Sequence, residues 1–155
     1  MAATRTTKKP AKKRKTSATR ARSKPPARVP LVDYLVLGAN GAYLRANECK
    51  SCGARFFDRR NACAACGGRE FKKARVKSRG ELVGFSIVHR AAPGIAVPFV
   101  SGIVDCGGTT VRANVIDVEA DPEHVKLGMK LALATYVSGS DDDGTECVAF
   151  GYAPA

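Results

Sequence analysis

The sequence predicts a mainly β protein in three parts: a disordered basic tail, a short ribbon built around cysteines, and a five-stranded barrel. Three observations carry that prediction. Four of the six cysteines fall into two Cys-x-x-Cys-Gly units, Cys49-Lys-Ser-Cys52-Gly53 and Cys63-Ala-Ala-Cys66-Gly67. Beyond residue 79, short apolar runs rich in Val, Ile and Phe alternate with turns rich in Gly, Pro and Asp. Charge is also confined: residues 1–30 hold eleven Lys or Arg and no Asp or Glu, although the whole chain of 155 residues carries only +12.

Residues 1–30 come first. The run Lys8-Lys9-Pro10-Ala11-Lys12-Lys13-Arg14-Lys15 sits among Ala, Thr, Ser and Pro, with no apolar periodicity. Such a segment cannot bury enough surface to offset the entropy of ordering it, so it is expected to be a disordered tail. A basic tail binds polyanions by releasing counterions, so nucleic acid or an acidic protein is its expected partner, and a solubilising tether is the alternative. Its Lys clusters and repeated Pro do not suit the amphipathic helix of an organellar transit peptide. No apolar stretch is long enough to span a membrane, and none follows the basic start as a secretory signal would. No membrane association is expected.

Residues 31–78 form the second part. Tyr34-Leu-Val-Leu37 and Ala42-Tyr-Leu-Arg45 flank Gly38-Ala-Asn-Gly41, which predicts a β-hairpin leading into the first Cys-x-x-Cys unit. A Cys-x-x-Cys pair sets two thiolates on one tight turn, and two pairs close a tetrahedron around a metal. Ten residues separate the pairs, enough for a short ribbon. Gly53 and Gly67 allow the positive φ that lets backbone N–H groups point at sulfur. Two disulfides or a redox dithiol are the alternatives, and the doubled turn with its doubled glycine argues against both. Cys49, Cys52, Cys63 and Cys66 are therefore predicted to hold a structural Zn2+. With all four positions taken by thiolates, no site is left for a reactive water. Thiols used as metal ligands fit a reducing cytoplasm. Ala54-Arg-Phe-Phe57 reads as a ribbon strand, with Phe56, Phe57 and Phe71 covering the metal.

Residues 79–155 read as β throughout. Strands are expected at 81–88, with Gly84 at a bend or bulge, at 99–104, at 110–116 after a Gly107-Gly108 turn, at 129–137, and at 146–152 after the acidic turn Asp141-Asp-Asp-Gly144. Asp121-Pro-Glu-His-Val predicts one helical turn with an Asp cap. Five strands with a helical interruption between the third and fourth is the strand order of an OB-fold barrel. An SH3-like barrel or a sandwich is the alternative. Cys147 is expected in the core, and Cys106 sits beside a Gly-Gly turn. Both read as small apolar residues without chemistry.

The ordered set of motifs resembles a known family. The paired knuckles, then Gly80-Glu-Leu-Val-Gly-Phe-Ser-Ile-Val-His89, Val97-Pro-Phe-Val100, Leu127-Gly-Met129 and Phe150-Gly-Tyr152-Ala-Pro154 are similar to the acyl-CoA-associated OB-fold proteins with a rubredoxin-like zinc ribbon. The similarity covers residues 31–155 and leaves out the tail. It departs from the family beside the second knuckle, where Asp58-Arg59-Arg60-Asn61-Ala62 stands in place of the usual Pro residues. The resemblance implies a non-catalytic accessory subunit that packs on a thiolase-type enzyme and helps shape its acyl-CoA site.

The charge pattern offers a route to coenzyme A. Residues 50–79 hold ten basic and two acidic side chains, and cations recognise the phosphates of coenzyme A, Arg with bidentate geometry. Arg59, Arg60, Arg75, Lys77 and Arg79 are the candidate contacts, and a solvated linker or a docking surface for an acidic partner is the alternative. His89, at a strand end beside Arg90, is a further candidate ligand contact. His124 is expected to face solvent. No Gly-x-Ser-x-Gly elbow or glycine-rich phosphate loop is present, so catalysis by the chain alone is not expected.

Nucleic-acid binding is the rival function, because zinc ribbons and OB barrels both serve it. A barrel that grips single strands combines a basic groove with exposed aromatics. Residues 80–155 hold four basic and ten acidic side chains, and Phe85, Phe99, Tyr136, Phe150 and Tyr152 lie in apolar runs expected to face the core.

Overall fold

A computed structural model describes residues 27–155, and the expectation of a disordered tail over residues 1–26 lies outside the described residues. The described chain is ten strands, with no helix among them. They are β1 (Arg28–Pro30), β2 (Leu35–Gly38), β3 (Gly41–Cys49), β4 (Arg55–Phe56), β5 (Phe71–Arg75), β6 (Arg79–Val88), β7 (Phe99–Asp105), β8 (Thr110–Val115), β9 (Lys130–Ser140) and β10 (Glu146–Pro154).

The barrel has five strands. β6, β7 and β8 form an antiparallel meander; β9 pairs with β6 on one side and β10 on the other. Closure comes where β10 meets β8 in parallel at Tyr152 and Val115. Alternation along the strands sends Leu82, Val100, Val104, Val111, Leu131 and Tyr152 inward, all essentially fully buried. The register between β6 and β7 shifts between Leu82 and Gly84. The extra residue is Val83, which confirms the bulge expected at Gly84. Gly102 is required by close packing: a Cβ there would sit 2.9 Å from both Leu82 Cδ1 and Val115 Cγ2.

Both hairpin turns stand where the sequence put them. β2 and β3 pair from Leu35–Leu44 to Gly38–Gly41, leaving Ala39 and Asn40 as the loop. β3 then continues to Cys49 and pairs with β4 and β5, so the ribbon grows from a hairpin strand. Leu35, Leu44, Ala46 and Val76 share one apolar cluster with the barrel core.

Three expectations need correction. Arg28–Pro30, inside the segment assigned to the tail, is a strand parallel to β10, tied by an Arg28–Glu146 ion pair of 2.7 Å. Backbone pairing against an open edge supplies what the segment's composition lacks. The Asp121 segment is the single capped helical turn expected, with Val125 donating its N–H to the Asp121 carbonyl at 3.1 Å. The Asp121 carboxylate accepts from the Glu123 and His124 N–H groups at 2.7 and 2.9 Å, and Val125 anchors the turn in the core. Tyr136 is 38% exposed, because β9 leaves β6 after Ala132 and pairs from there on with β10 alone. Cys147 is only half-buried, at a register shift in β10, whereas Cys106 is buried 3.2 Å from the Tyr152 hydroxyl. His124 is exposed as expected, with its Nδ1 2.7 Å from Asp121.

Candidate metal centre and cationic faces

The two Cys-x-x-Cys-Gly units fold into the same knuckle. In the first, Gly53 donates its N–H to the Cys49 carbonyl at 2.9 Å, and Cys49 donates to the Ala54 carbonyl at 2.8 Å. In the second, Gly67 donates to Cys63 at 2.8 Å, and Cys63 donates to Gly68 at 2.8 Å. Gly53 and Gly67 adopt φ of 75° and 74°, the left-handed region that glycine enters without steric cost. β3 delivers the first knuckle at its end, and β5 leaves directly after the second, so pairing of these strands holds the two turns face to face.

All four Sγ atoms lie within 4.8 Å of one another. Cys49 to Cys66 is 3.7 Å and Cys52 to Cys63 is 3.6 Å. A sulfur tetrahedron with bonds of about 2.3 Å to zinc has edges of about 3.8 Å, whereas a disulfide closes to about 2.0 Å. The spacing therefore fits a metal and not two disulfides. Backbone N–H groups, from Cys52 and then Ser51, help bring the Cys49 thiol down to about 6. Cys52 is drawn down by the Ala54 N–H, but hydrogen bonds to Cys66 and Cys63 prevail and push it up to about 12. The thiolate is thus favoured at Cys49 and disfavoured at Cys52. Cys49 and Cys63 are buried while Cys52 and Cys66 are exposed. Phe56 and Phe71 meet edge to face at 6.3 Å as the ribbon's aromatic pair. Phe57 does not join them: at the bend just after β4 it packs the other way, onto Tyr34 at 4.8 Å and the barrel core.

Composition and spacing gave no sign of Gly68. A Cβ there would lie 2.9 Å from Ser51 Oγ and 3.3 Å from the sulfurs of Cys49 and Cys66. The doubled Gly67-Gly68 was the available signal, the first glycine serving the turn and the second the close approach.

The candidate cations are split between sites. Lys77 and Arg79 line an open cavity of about 450 Å³ at the ribbon–barrel junction, floored by Gly80, Cys106 and Leu131. Lys130, which sequence reasoning missed, is the third cation there and pairs with Glu81. Arg75 lines an adjoining groove with Lys77 and Arg79. Arg59 lies in a separate pocket with Arg45 and Lys73. Arg60 stacks 4.5 Å over the Phe56 ring. His89 is exposed at the start of the loop after β6 and lines none of these cavities.

The family model of the ChsH2 rubredoxin-like zinc ribbon domain matches residues 43–72, and that of the ChsH2 C-terminal OB-fold domain matches residues 74–136. In three dimensions the chain is similar to a solved Ltp2-ChsH2(DUF35) aldolase, with a TM-score of 0.56 and 19% identity, over 72% of this chain and 84% of that one. At that identity the likeness is one of fold. No curated protein matches the sequence.

Proposed function

This chain belongs to the ChsH2 family, carrying the family's zinc ribbon and OB-fold domain in that order, and we propose on that premise that it is a non-catalytic accessory subunit. It binds a thiolase-fold enzyme and helps hold the coenzyme A end of an acyl-CoA. The similar solved structure, an Ltp2-ChsH2 aldolase, pairs such a chain with an enzyme, which supports the partner class. Zn2+ held by Cys49, Cys52, Cys63 and Cys66 keeps the ribbon folded and takes no part in chemistry.

The observation that carries the ligand side is the junction cavity. Lys77, Arg79 and Lys130 surround a floor that includes Leu131 and Cys106, in a volume of about 450 Å³; Asp105 and Glu81 line it too, and Glu81 is paired with Lys130, so Lys77 and Arg79 are the cations that face a ligand. That volume is within the roughly 300–1,000 Å³ of small-molecule sites. Cations beside an apolar floor suit a ligand that joins phosphates to an uncharged arm. Replacing one charge-assisted contact, Arg79→Gln, is expected to weaken coenzyme A binding about tenfold or more. Calorimetry on the zinc-loaded chain checks this, and unchanged affinity rules out the cavity.

The nucleic-acid alternative draws less support from the barrel. Among the described Phe and Tyr residues, Tyr136 alone is exposed, where single-strand grips use several aromatics. Affinity purification with nuclease treatment, on the full chain and on residues 27–155, separates the two. Retention of a thiolase-fold enzyme by both supports the accessory role. Partners that only the full chain retains, and that nuclease or moderate salt removes, support the alternative.

A further inference from the structure

A second concentration of positive charge lies on the ribbon sheet, sharing no residue with the junction cavity. Arg45 and Asn47 project from the same face of β3, and their register partners in β5 are Arg75 and Lys73. Arg45 and Arg75 thus stand directly opposite one another, an arrangement of like charges that destabilises an antiparallel pair. The ribbon neutralises charge elsewhere: Glu48, one residue along β3, pairs with Arg55 at 2.7 Å and Lys72 at 2.9 Å. Among the described residues, no ion pair involves Arg45, Arg59, Lys73 or Arg75. The Arg75 guanidinium instead lies 4.5 Å over the Tyr43 ring.

Arg45, Arg59 and Lys73 converge on a pocket of about 170 Å³. Its position is held by Asn47. The Asn47 Nδ2 donates to the Phe57 and Asp58 carbonyls at 3.3 and 3.0 Å, which pins the backbone just before Arg59. Its Oδ1 accepts from Lys73 Nζ at 2.6 Å. Asp33 is the only carboxylate on the lining, so the pocket keeps an excess of positive charge. Tyr34 and Phe57 form its apolar wall. The pocket is small and has room for one phosphoryl group.

We propose that Arg45, Arg59 and Lys73 form a phosphoryl-binding site on the ribbon, distinct from the junction cavity, that takes free phosphate or the terminal phosphate of a small soluble ligand. The bound anion offsets the Arg45 charge and so eases its opposition to Arg75 across the sheet. The geometry holds whether or not the chain serves an enzyme.

The test is NMR titration of the zinc-loaded full chain with inorganic phosphate, against chloride at matched ionic strength. Residue-resolved signals separate the pocket from phosphate held loosely by the tail. Saturable shifts at the Arg45 and Arg59 Nε–H and the Asn47 and Lys73 amides, absent with chloride, are expected. Arg45→Gln is expected to weaken phosphate binding about tenfold. In chloride it should raise the melting temperature, because it removes the opposed charge. Adenosine 3′-monophosphate distinguishes the sources: tighter binding than inorganic phosphate assigns the site to a ligand-borne group, and equal binding to free phosphate. Shifts that chloride reproduces, or that spread over the ribbon without saturating, would overturn the site. So would an Arg45→Gln variant that melts lower yet binds phosphate unchanged.

Discussion

The barrel buries Leu82, Val100, Val104, Leu131 and Tyr152 almost completely, whereas the outer half of the ribbon has only the half-buried pair Phe56 and Phe71 and four sulfurs. One strand serves both regions. The lower part of β3 sends Leu44 and Ala46 into the shared core, and its last residue, Cys49, is a metal ligand. The contrast shows how a short segment acquires a fixed shape. Too small to build a core, the ribbon tip replaces apolar burial with metal–thiolate bonds, while the barrel is large enough to do without them.

The most direct way to break this comparison is to remove the metal. Structural zinc sites contribute about 10–16 kcal/mol of apparent binding energy at neutral pH, and in the ribbon tip that energy is folding energy. Cys63→Ser, or a strong chelator, is expected to unfold the region from Asn47 to Lys72 and leave the barrel intact. Zinc content together with residue-resolved hydrogen exchange checks both halves. A metal-free tip that stays protected would show that strand pairing suffices, and the contrast would disappear.

Core truncations sharpen the contrast from the other side. Leu131→Ala and Leu44→Ala are each expected to cost about 2–5 kcal/mol in denaturant unfolding. Leu131 is in β9 of the barrel, so its loss should leave zinc affinity unchanged. Leu44 lies five residues before a ligand on the same strand, so its loss should also weaken zinc. Equal zinc affinity in the two variants would mean that the ribbon and barrel are energetically separate despite sharing a core.

The parts of this molecule that were legible in sequence are those set by local chemistry. The knuckles, the Gly38–Gly41 hairpin and the Gly107-Gly108 turn follow from spacing and from glycine at strained positions. The barrel strands follow from alternation. What was not legible depends on pairing across distance. β1 forms only because the β10 edge is open beside residues 146–148, and nothing in Arg28-Val-Pro30 announces a strand. Phe57 and Phe56 are adjacent in sequence and opposite in direction, so composition could not say which covers the metal. Arg45 and Lys73 were missed for the same reason, being 28 residues apart yet joined by the β3–β5 register.

Gly68 allows a finer test of how tightly the sulfurs are packed. Gly68→Ala would put a methyl 2.9 Å from Ser51 Oγ and 3.3 Å from two ligand sulfurs. Overpacking of this kind costs about 1–3 kcal/mol, here read as weaker zinc binding in a competition titration. Ser51→Ala in the same chain should restore part of the loss, because it removes the nearest obstructing atom. No rescue would mean that the sulfurs, and not Ser51, set the limit.

The smallest expected effect concerns charge at the base of the metal site. Hydrogen bonds from Lys72 and then Arg55 hold the Glu48 carboxyl below the usual carboxylate range. Its folded-state pKa is thus lower than its unfolded-state pKa, so its contribution is complete above the unfolded value and is lost as pH falls through the folded one. Acid also weakens zinc binding by protonating thiolates, so the informative quantity is the difference between wild type and Glu48→Gln under saturating zinc. The variant should be slightly less stable at neutral pH and converge with wild type in acid. A constant gap at all pH values would assign the role of Glu48 to packing.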